Sequence, residues 1–234
     1  MDKLTRKELK SDKFALEVQH SVEYVSEHRR QMTQWAVPAA ALVLIVIGVF
    51  WYRSYQHDAR QEALHAAEAI QNSQVGPSQS EYVVTFPTSQ AREAGVNKAW
   101  RDLAAKYPGT EEGGIAEFFL GTNASDTGNL PEAAKHFQAA IDSGSGAYAS
   151  EAKLTLAQIY AAQGKLNDGV KLIQSVIDHP TVMVSKDAAI LALADLIKTS
   201  DPQRARKLVD PLRTSTRSAV SKAAITLDST LSQQ

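Results

Sequence analysis

One uninterrupted apolar run near the start of the chain constrains its fold more than any other feature. Residues 35–52 read WAVPAAALVLIVIGVFWY and contain no charged side chain. At about 1.5 Å per residue, a helix of this length nearly crosses a hydrocarbon layer of roughly 30 Å. Trp35 at one end, and Trp51 with Tyr52 at the other, stand where amphipathic rings prefer lipid headgroups. The run therefore predicts a single transmembrane helix over 35–52.

A buried core helix and a cleaved signal peptide are the two alternatives to a membrane span. The residues that follow the run, Trp51, Tyr52 and Arg53, lack the small-x-small pattern of a cleavage site, and the preceding tail is long for a signal peptide. Pro38 falls in the first turn, where its missing N–H costs little. We therefore expect an uncleaved anchor that stays on the mature protein.

Basic residues on the two sides of the run predict its orientation. Residues 1–34 contain seven of them, namely Lys3, Arg6, Lys7, Lys10, Lys13, Arg29 and Arg30. Only Arg53 and Arg60 lie within the first twenty residues after the run, although the nearest twenty residues before it also contain only two. Because cytoplasmic flanks retain Lys and Arg, we expect a cytoplasmic N-terminus and a large C-terminal part across the membrane.

The flanks of the run divide the chain further. Residues 1–34 mix both charge signs with apolar residues at the spacing of one helix face, Phe14, Val18, Val22 and Val25. This amphipathic tail either binds a cytoplasmic partner or lies solvated or on the membrane surface. Residues 53–74 have the alanine-rich composition of a stalk helix, and residues 75–89 collect the Gly, Pro and Ser of a linker.

From residue 90 to residue 234 the pattern predicts an all-α domain. Short punctuation by Gly, Pro, Ser or Asp separates helices at 90–106, 113–126, 131–142, 147–163, 166–178, 185–198, 202–213 and 215–231. Asn129 and Asp201 each precede a first turn that contains proline. Both are therefore expected to be N-cap residues.

A repeat of 36 residues runs through this domain. GNLPEAAKHFQAAI at 128–141 aligns with GKLNDGVKLIQSVI at 164–177, and a further step leads to SDPQRARKLVDPL at 200–212. The aligned columns are Ala133, Gly169 and Ala205, then Phe137, Ile173 and Val209, then Ala140, Val176 and Leu212. Small residues let helix axes approach, and the larger residues four positions on fill the gap beside them. All three columns are therefore predicted to be core.

The repeat resembles the tetratricopeptide repeat, which pairs two helices in about 34 residues. LGTNASDTGNLPEAAKHFQAAI at 120–141 and LAQIYAAQGKLNDGVKLIQSVIDHP at 156–180 carry the resemblance. Ala124 replaces the tyrosine of the first repeat, Gly169 replaces the alanine of the second, and the third repeat is degenerate. The resemblance covers roughly 90–231 and implies an antiparallel helix-pair solenoid.

Together with the tail and the anchor, this domain resembles the YfgM-like family of inner-membrane proteins, typified by an ancillary subunit of the Sec translocon. The segment WAVPAAALVLIVIGVFWYRSYQ, the alanine-rich helix after it and the turn LAAKYPGT carry this resemblance. It implies a single-pass protein of the bacterial inner membrane with a periplasmic domain. It also implies the SecYEG channel and a membrane-anchored periplasmic chaperone as partners, and contact with newly translocated envelope proteins.

The repeat resemblance further implies a partner-binding groove along the first helices of the pairs. Six residues are expected to line it: Phe118, Leu154 and Ile190 in one column, and Thr122, Gln158 and Ala194 one turn on. The alternative is that the apolar members simply pack between neighbouring helices.

The sequence offers little chemistry for catalysis or for small ligands. Without cysteine it can form neither a thiol nucleophile nor a Cys-ligated zinc site, and it lacks H-E-x-x-H, G-x-S-x-G, P-loop and G-x-G-x-x-G motifs. His65 with Glu62 and Glu68 comes nearest to a metal or catalytic cluster. A net charge of −1 argues against nucleic acid as a partner. We expect a non-enzymatic protein-interaction module without cofactor, metal or small-molecule substrate. An assembly scaffold of an envelope complex and a regulatory adaptor acting through residues 1–34 are the alternatives.

Overall fold

The computed structural model describes residues 29–77, 83–144 and 146–232, and these residues form nine α-helices and one pair of short strands. The helices are α1 (Arg29–Gln71), α2 (Ser89–Lys106), α3 (Glu111–Asp126), α4 (Leu130–Asp142), α5 (Gly146–Ala162), α6 (Leu166–Asp178), α7 (Lys186–Ile197), α8 (Pro202–Val209) and α9 (Ser218–Leu231). The predicted all-α fold class is confirmed. The amphipathic tail predicted within residues 1–34 lies almost entirely outside the described residues.

Helix α1 contains the apolar run, and it is the one described helix long and apolar enough to cross a membrane, over Gln34–Gln71. Every side chain from residue 34 to residue 55 is exposed, and Trp35 and Phe50 reach 77% and 75% exposure. This exposure argues against the buried-core alternative for the run. The chain divides into two compact units, Met1–Asp58 and Ala59–Gln234, and the helix pairs belong to the second.

Two regions depart from the helix and linker pattern expected of them. At the boundary of the predicted stalk and linker, β1 (Gln74–Val75) pairs in parallel with β2 (Thr85–Phe86), which lies inside the linker. The helix expected over 202–213 ends at Val209 and is followed by a 3-10 helix over Asp210–Leu212. Pro211 explains the second difference, because its ring clashes with the preceding turn and it has no N–H for a helical hydrogen bond.

The two predicted N-caps are confirmed. The side chain of Asn129 accepts a hydrogen bond from the Glu132 amide at 3.4 Å, and that of Asp201 accepts one from the Arg204 amide at 3.0 Å. Each cap satisfies an amide that the first turn of a helix leaves without a helical partner.

Replacing Asp201 by alanine is expected to lower the free energy of unfolding by about 1 kcal/mol, because the Arg204 amide loses its acceptor. Asp201→Asn keeps a side-chain oxygen and should cost only a few tenths of that amount. Urea unfolding of the full chain in mild detergent measures both values. Equal losses for the two variants would contradict a capping role.

Successive helices of the second unit pack against each other from α2 to α9, and the first helices of the pairs also contact one another, α3 with α5, α5 with α7 and α7 with α9. This is the contact pattern of a helix-pair solenoid, in which each repeat contacts its neighbours. The predicted core columns are confirmed: Phe137, Ile173 and Val209 are at most 1% exposed, and Ala133 and Ala205 are fully buried.

At Gly169, α6 lies too close to α5 to admit a side chain without a shift. A Cβ atom built at this position would lie 2.6 Å from the Ala157 carbonyl oxygen, which belongs to the backbone and has no freedom to rotate away. Gly121 plays the matching part in the preceding pair, where a Cβ would lie 2.9 Å from the Phe137 ring. The two repeats therefore bring their helices together at a residue without a side chain, although at different positions.

Gly169→Ala is expected to destabilise the domain by about 1 to 2 kcal/mol. The new Cβ would push α6 away from the Ala157 carbonyl oxygen, and the packing lost costs more than the roughly 1 kcal/mol by which alanine is favoured over glycine in a helix. Asn167→Ala is the matched control, because Asn167 is an exposed residue of the same helix. Urea denaturation of both variants decides the matter, and a stabilised Gly169→Ala protein would show that the approach is not tight.

The end of α1 packs with α2 and leads the series of helix pairs. Leu64 and Ala67 share a buried cluster with Val96, Trp100 and Leu103 of α2. These contacts show that the C-terminal part of α1, within the predicted stalk, packs against α2. The predicted limits of stalk, linker and repeat domain stay predictions.

Candidate partner-binding surface

The first helices α3, α5 and α7 carry all six residues predicted to line a groove. Phe118 and Thr122 of α3, Leu154 of α5 and Ile190 of α7 are half-buried, whereas Gln158 of α5 is exposed. Ala194 of α7 is fully buried, so it offers no surface to a partner. The role of these residues in binding stays a prediction, and their burial establishes how the helices align.

Burial shows that α7 is offset from α5 by 37 residues rather than 36. Leu193 and Ala194 are 1% and 0% exposed, as Leu156 and Ala157 are at 0%, which makes these two pairs equivalent. The sequence carries a weak signal of this offset, since LAQI at 156–159 matches LADL at 193–196. Leu191 and Asp195 of α7 therefore occupy the places that a step of 36 assigns to Ile190 and Ala194.

With this alignment, the first helices present two parallel rows of residues. The apolar row is Phe118, Leu154 and Leu191, and the polar row, one turn further along each helix, is Thr122, Gln158 and Asp195. None of the six is fully buried. We call this set of six residues the groove. Because packed helix axes lie roughly 8–10 Å apart, neighbouring members of a row are separated by about 10 Å.

An aromatic cluster fixes the α3 end of the groove. The Phe118 ring lies 5.2 Å from the Tyr148 ring and 5.8 Å from the Phe137 ring, measured between centroids. Phe119 also contacts Tyr148, at 5.8 Å, and stacks on Trp100 at 4.4 Å. Phe118 therefore packs against α4 and α5 while remaining half-buried, which is compatible with both the core and the groove interpretation.

The helices that carry most of the groove are acidic. Helices α3 and α5 together contain five carboxylates and a single basic residue: Glu111, Glu112, Glu117, Asp126 and Glu151 against Lys153. Glu117 is bound to His136 of α4, with 2.6 Å between Oε2 and Nδ1. Because Glu112 is buried and paired with Arg60, the excess of negative charge along these helices comes from Glu111, Glu117, Asp126 and Glu151 against Lys153, and it favours neutral or basic side chains in a bound segment.

Histidine and carboxylate clusters elsewhere give little support for catalysis or metal binding. His65 Nδ1 lies 3.2 Å from Glu68 Oε2 on the exposed side of α1, and Glu62 is also exposed. Among residues 29–77, 83–144 and 146–232, no group of three or more His, Cys, Asp or Glu residues is placed to hold a metal ion.

Comparison with known proteins gives one family. The family model described as a tetratricopeptide repeat-like domain matches residues 32–187, more than half of the chain. The match includes the apolar run in α1 and ends two residues into α7. Neither the curated proteins nor the solved structures gave a significant match. From its matched segment and its paired helices, the chain belongs to the tetratricopeptide repeat-like domain family.

Proposed function

We propose that the chain is a membrane-anchored protein-interaction module of the bacterial inner membrane, with a cytoplasmic N-terminus and a periplasmic helical domain. Tetratricopeptide-like domains are typically non-catalytic and bind proteins, which supports the interaction role. The exposed apolar stretch of α1 supports the anchor. The excess of Lys and Arg in residues 1–34 supports the orientation.

The proposed partners are the SecYEG channel and a membrane-anchored periplasmic chaperone, and the proposed clients are newly translocated envelope proteins. The resemblance of the anchor, the alanine-rich helix and the LAAKYPGT turn to the YfgM-like family supports these partners. The groove supports the clients, because a chain leaving the channel is unfolded and exposes the apolar side chains that the row of Phe118, Leu154 and Leu191 can contact.

The groove is the observation on which this proposal depends most. It combines partly exposed apolar residues with polar ones one turn away on the first helices of successive pairs, and it is modest in extent. A surface of this kind suits weak and reversible contacts, as a factor that hands clients onward requires. A tight lock on the client would oppose release.

Photo-crosslinking in living cells tests the proposal. A photoreactive residue at Gln158 stands on the groove, and one at Lys171, exposed on α6, is the matched control on a second helix. Capture of channel subunits, of an anchored chaperone or of nascent envelope proteins from Gln158 and not from Lys171 is the expected result. Capture that is the same with translocation blocked, and limited to one stable envelope complex, would favour the assembly scaffold instead.

Deletion of residues 1–34 distinguishes the proposed function from the remaining alternative, a regulatory adaptor that acts through the tail. If the chain acts through its periplasmic groove, the crosslinks from Gln158 persist in the shortened protein once the anchor is correctly inserted. A regulatory adaptor that works through the tail would lose its partners and keep the groove unoccupied.

A further inference from the structure

A pocket of about 460 Å³ lies between α7 and α9, at one end of the groove. Apolar residues from both helices line it, with Leu191 and Ala192 on α7 and Ala223 and Leu227 on α9. Asp195 stands at its edge, where it accepts a hydrogen bond from Lys198 at 2.7 Å. Leu191 and Asp195 are also the last members of the two groove rows, so the pocket and the groove share these two residues.

The pocket belongs to a part of the chain that the family match does not cover. That match ends at residue 187, whereas the pocket is built from residues 191–230. Family membership therefore neither predicts the pocket nor assigns it an occupant. Its chemistry has to come from the residues that line it.

The polar side chains of α9 present little polarity to the pocket. The hydroxyls of Thr226 and Thr230 donate to the carbonyls of Lys222 and Leu227, at 3.0 Å and 2.7 Å, within their own helix. The wall of the pocket is therefore mostly apolar apart from the Asp195–Lys198 ion pair, and its volume is in the lower half of the range for ligand sites. It suits one large apolar side chain better than a whole small molecule with several polar groups.

The polar row of the groove favours an extended ligand over a helical one. A helix satisfies its own backbone amides, whereas an extended segment brings N–H and C=O groups that need partners. The exposed amide of Gln158 offers both donors and an acceptor, whereas the Thr122 hydroxyl already donates to the Phe118 carbonyl at 3.1 Å and the Asp195 carboxylate accepts from Lys198, so these two oxygens offer acceptor capacity alone.

The spacing of the apolar row agrees with that choice. In the polyproline II conformation, side chains three residues apart lie on the same face, separated by about 9 Å. Neighbouring first helices are separated by about the same distance. An extended segment can therefore place an apolar side chain at each of Leu191, Leu154 and Phe118 if such side chains occur at every third position.

We propose that the α7–α9 pocket is a specificity pocket for one aromatic side chain of an extended polypeptide segment bound along the groove. The following apolar side chains of that segment, at every third position, contact Leu154 and Phe118, and neutral or basic residues stand between them because α3 and α5 are acidic. The proposal rests on the proposed binding role of the groove and adds to it the identity of the bound segment.

Peptide binding to the full chain in detergent micelles tests the pocket. The probes are fluorescent synthetic peptides with apolar residues at every third position in a Ser and Lys background. In one set, each peptide has phenylalanine at its first or at its last apolar position. In the second set, alanine replaces that phenylalanine. Ala223→Phe fills the pocket from an exposed position of α9, and Ile225→Phe adds the same ring at an exposed residue on another side of that helix.

The expected result is a coupling between the peptide and the pocket. Ala223→Phe should lower the affinity for the phenylalanine peptide by about tenfold or more, to that of the alanine peptide. The affinity for the alanine peptide should not change. Ile225→Phe should change neither. If Leu154→Glu weakens binding of the phenylalanine peptide and Ala223→Phe does not, the pocket does not bind the aromatic side chain, although the groove binds the peptide. Binding that ignores both variants, or an absence of binding, would overturn the groove as well. Preference for peptides with apolar residues at every seventh position would show a helical ligand and also overturn the proposal.

Discussion

Replacing Trp100 by alanine is expected to lower the free energy of unfolding of the helical domain by about 3 to 5 kcal/mol. The Trp100 side chain is fully buried, and its ring stacks on Phe119 with 4.4 Å between centroids. Its Nε1–H donates to Gln71 Oε1 at 2.8 Å, at the end of α1. One side chain of α2 thus joins α1 and α3, and its loss leaves a cavity where the three helices meet.

Two further substitutions separate packing from hydrogen bonding in this effect. Trp100→Phe keeps an aromatic ring but leaves Gln71 Oε1 without its donor, so we expect a smaller loss than in the alanine variant. Trp51→Ala removes a tryptophan that is 75% exposed in α1 and should leave urea unfolding of the helical domain unchanged. A loss below about 1 kcal/mol for Trp100→Ala would mean that the three helices collapse onto the cavity.

Local patterns explain why most of the fold could be predicted from the sequence. The caps at Asn129 and Asp201 depend on a polar residue followed by a proline one or two positions later, and the core columns depend on a regular 36-residue step. Helix α8 ended early because one proline, Pro211, outweighed a continuous helical pattern. The parallel pairing of β1 with β2 joins two-residue strands, which are too short to carry a recognisable alternation.

Long-range packing explains what the sequence could not predict. The alanine-rich stretch after the anchor has the same composition whether it is a free stalk or the first helix of a pair, and only its contacts with Val96 and Leu103 distinguish the two. The offset of α7 by one residue has the same origin. A step of 36 fits α6 and α8, and the burial of Ala194 reveals that α7 between them follows a step of 37.

The side chain of Glu112, at the start of α3, is hydrogen-bonded to two side chains of α1. We expect Glu112→Gln to lower the free energy of unfolding by about 2 to 3 kcal/mol at neutral pH. The carboxylate is 2% exposed and accepts hydrogen bonds from Arg60 Nε at 3.0 Å and Gln61 Nε2 at 2.8 Å. Neutralising a buried ionic partner leaves the other charge poorly compensated. The Arg60 side chain is 24% exposed and can reach water, which places the loss below that of a fully buried pair.

The same carboxylate predicts that the free energy of unfolding depends on pH. Burial raises the pKa of Glu112, but hydrogen bonds from its own backbone amide and from Gln61, together with the Arg60 charge, outweigh burial and hold the pKa below its ordinary value of 4.5. In mild acid the unfolded chain therefore binds a proton that the folded chain does not. The stabilisation is complete above pH 4.5 and is lost as the pH falls through the lowered pKa of the folded state.

Urea unfolding of the wild type and of Glu112→Gln across this range measures the effect. The difference between the two proteins should be constant near neutral pH and shrink below pH 4.5, as the wild-type carboxylate becomes protonated. Glu111→Gln removes a carboxylate from the neighbouring, exposed residue and should change stability by no more than about 0.5 kcal/mol. A Glu112→Gln difference that stays constant down to strong acid would show that hydrogen-bond geometry, rather than the charge on Glu112, holds α1 against α3.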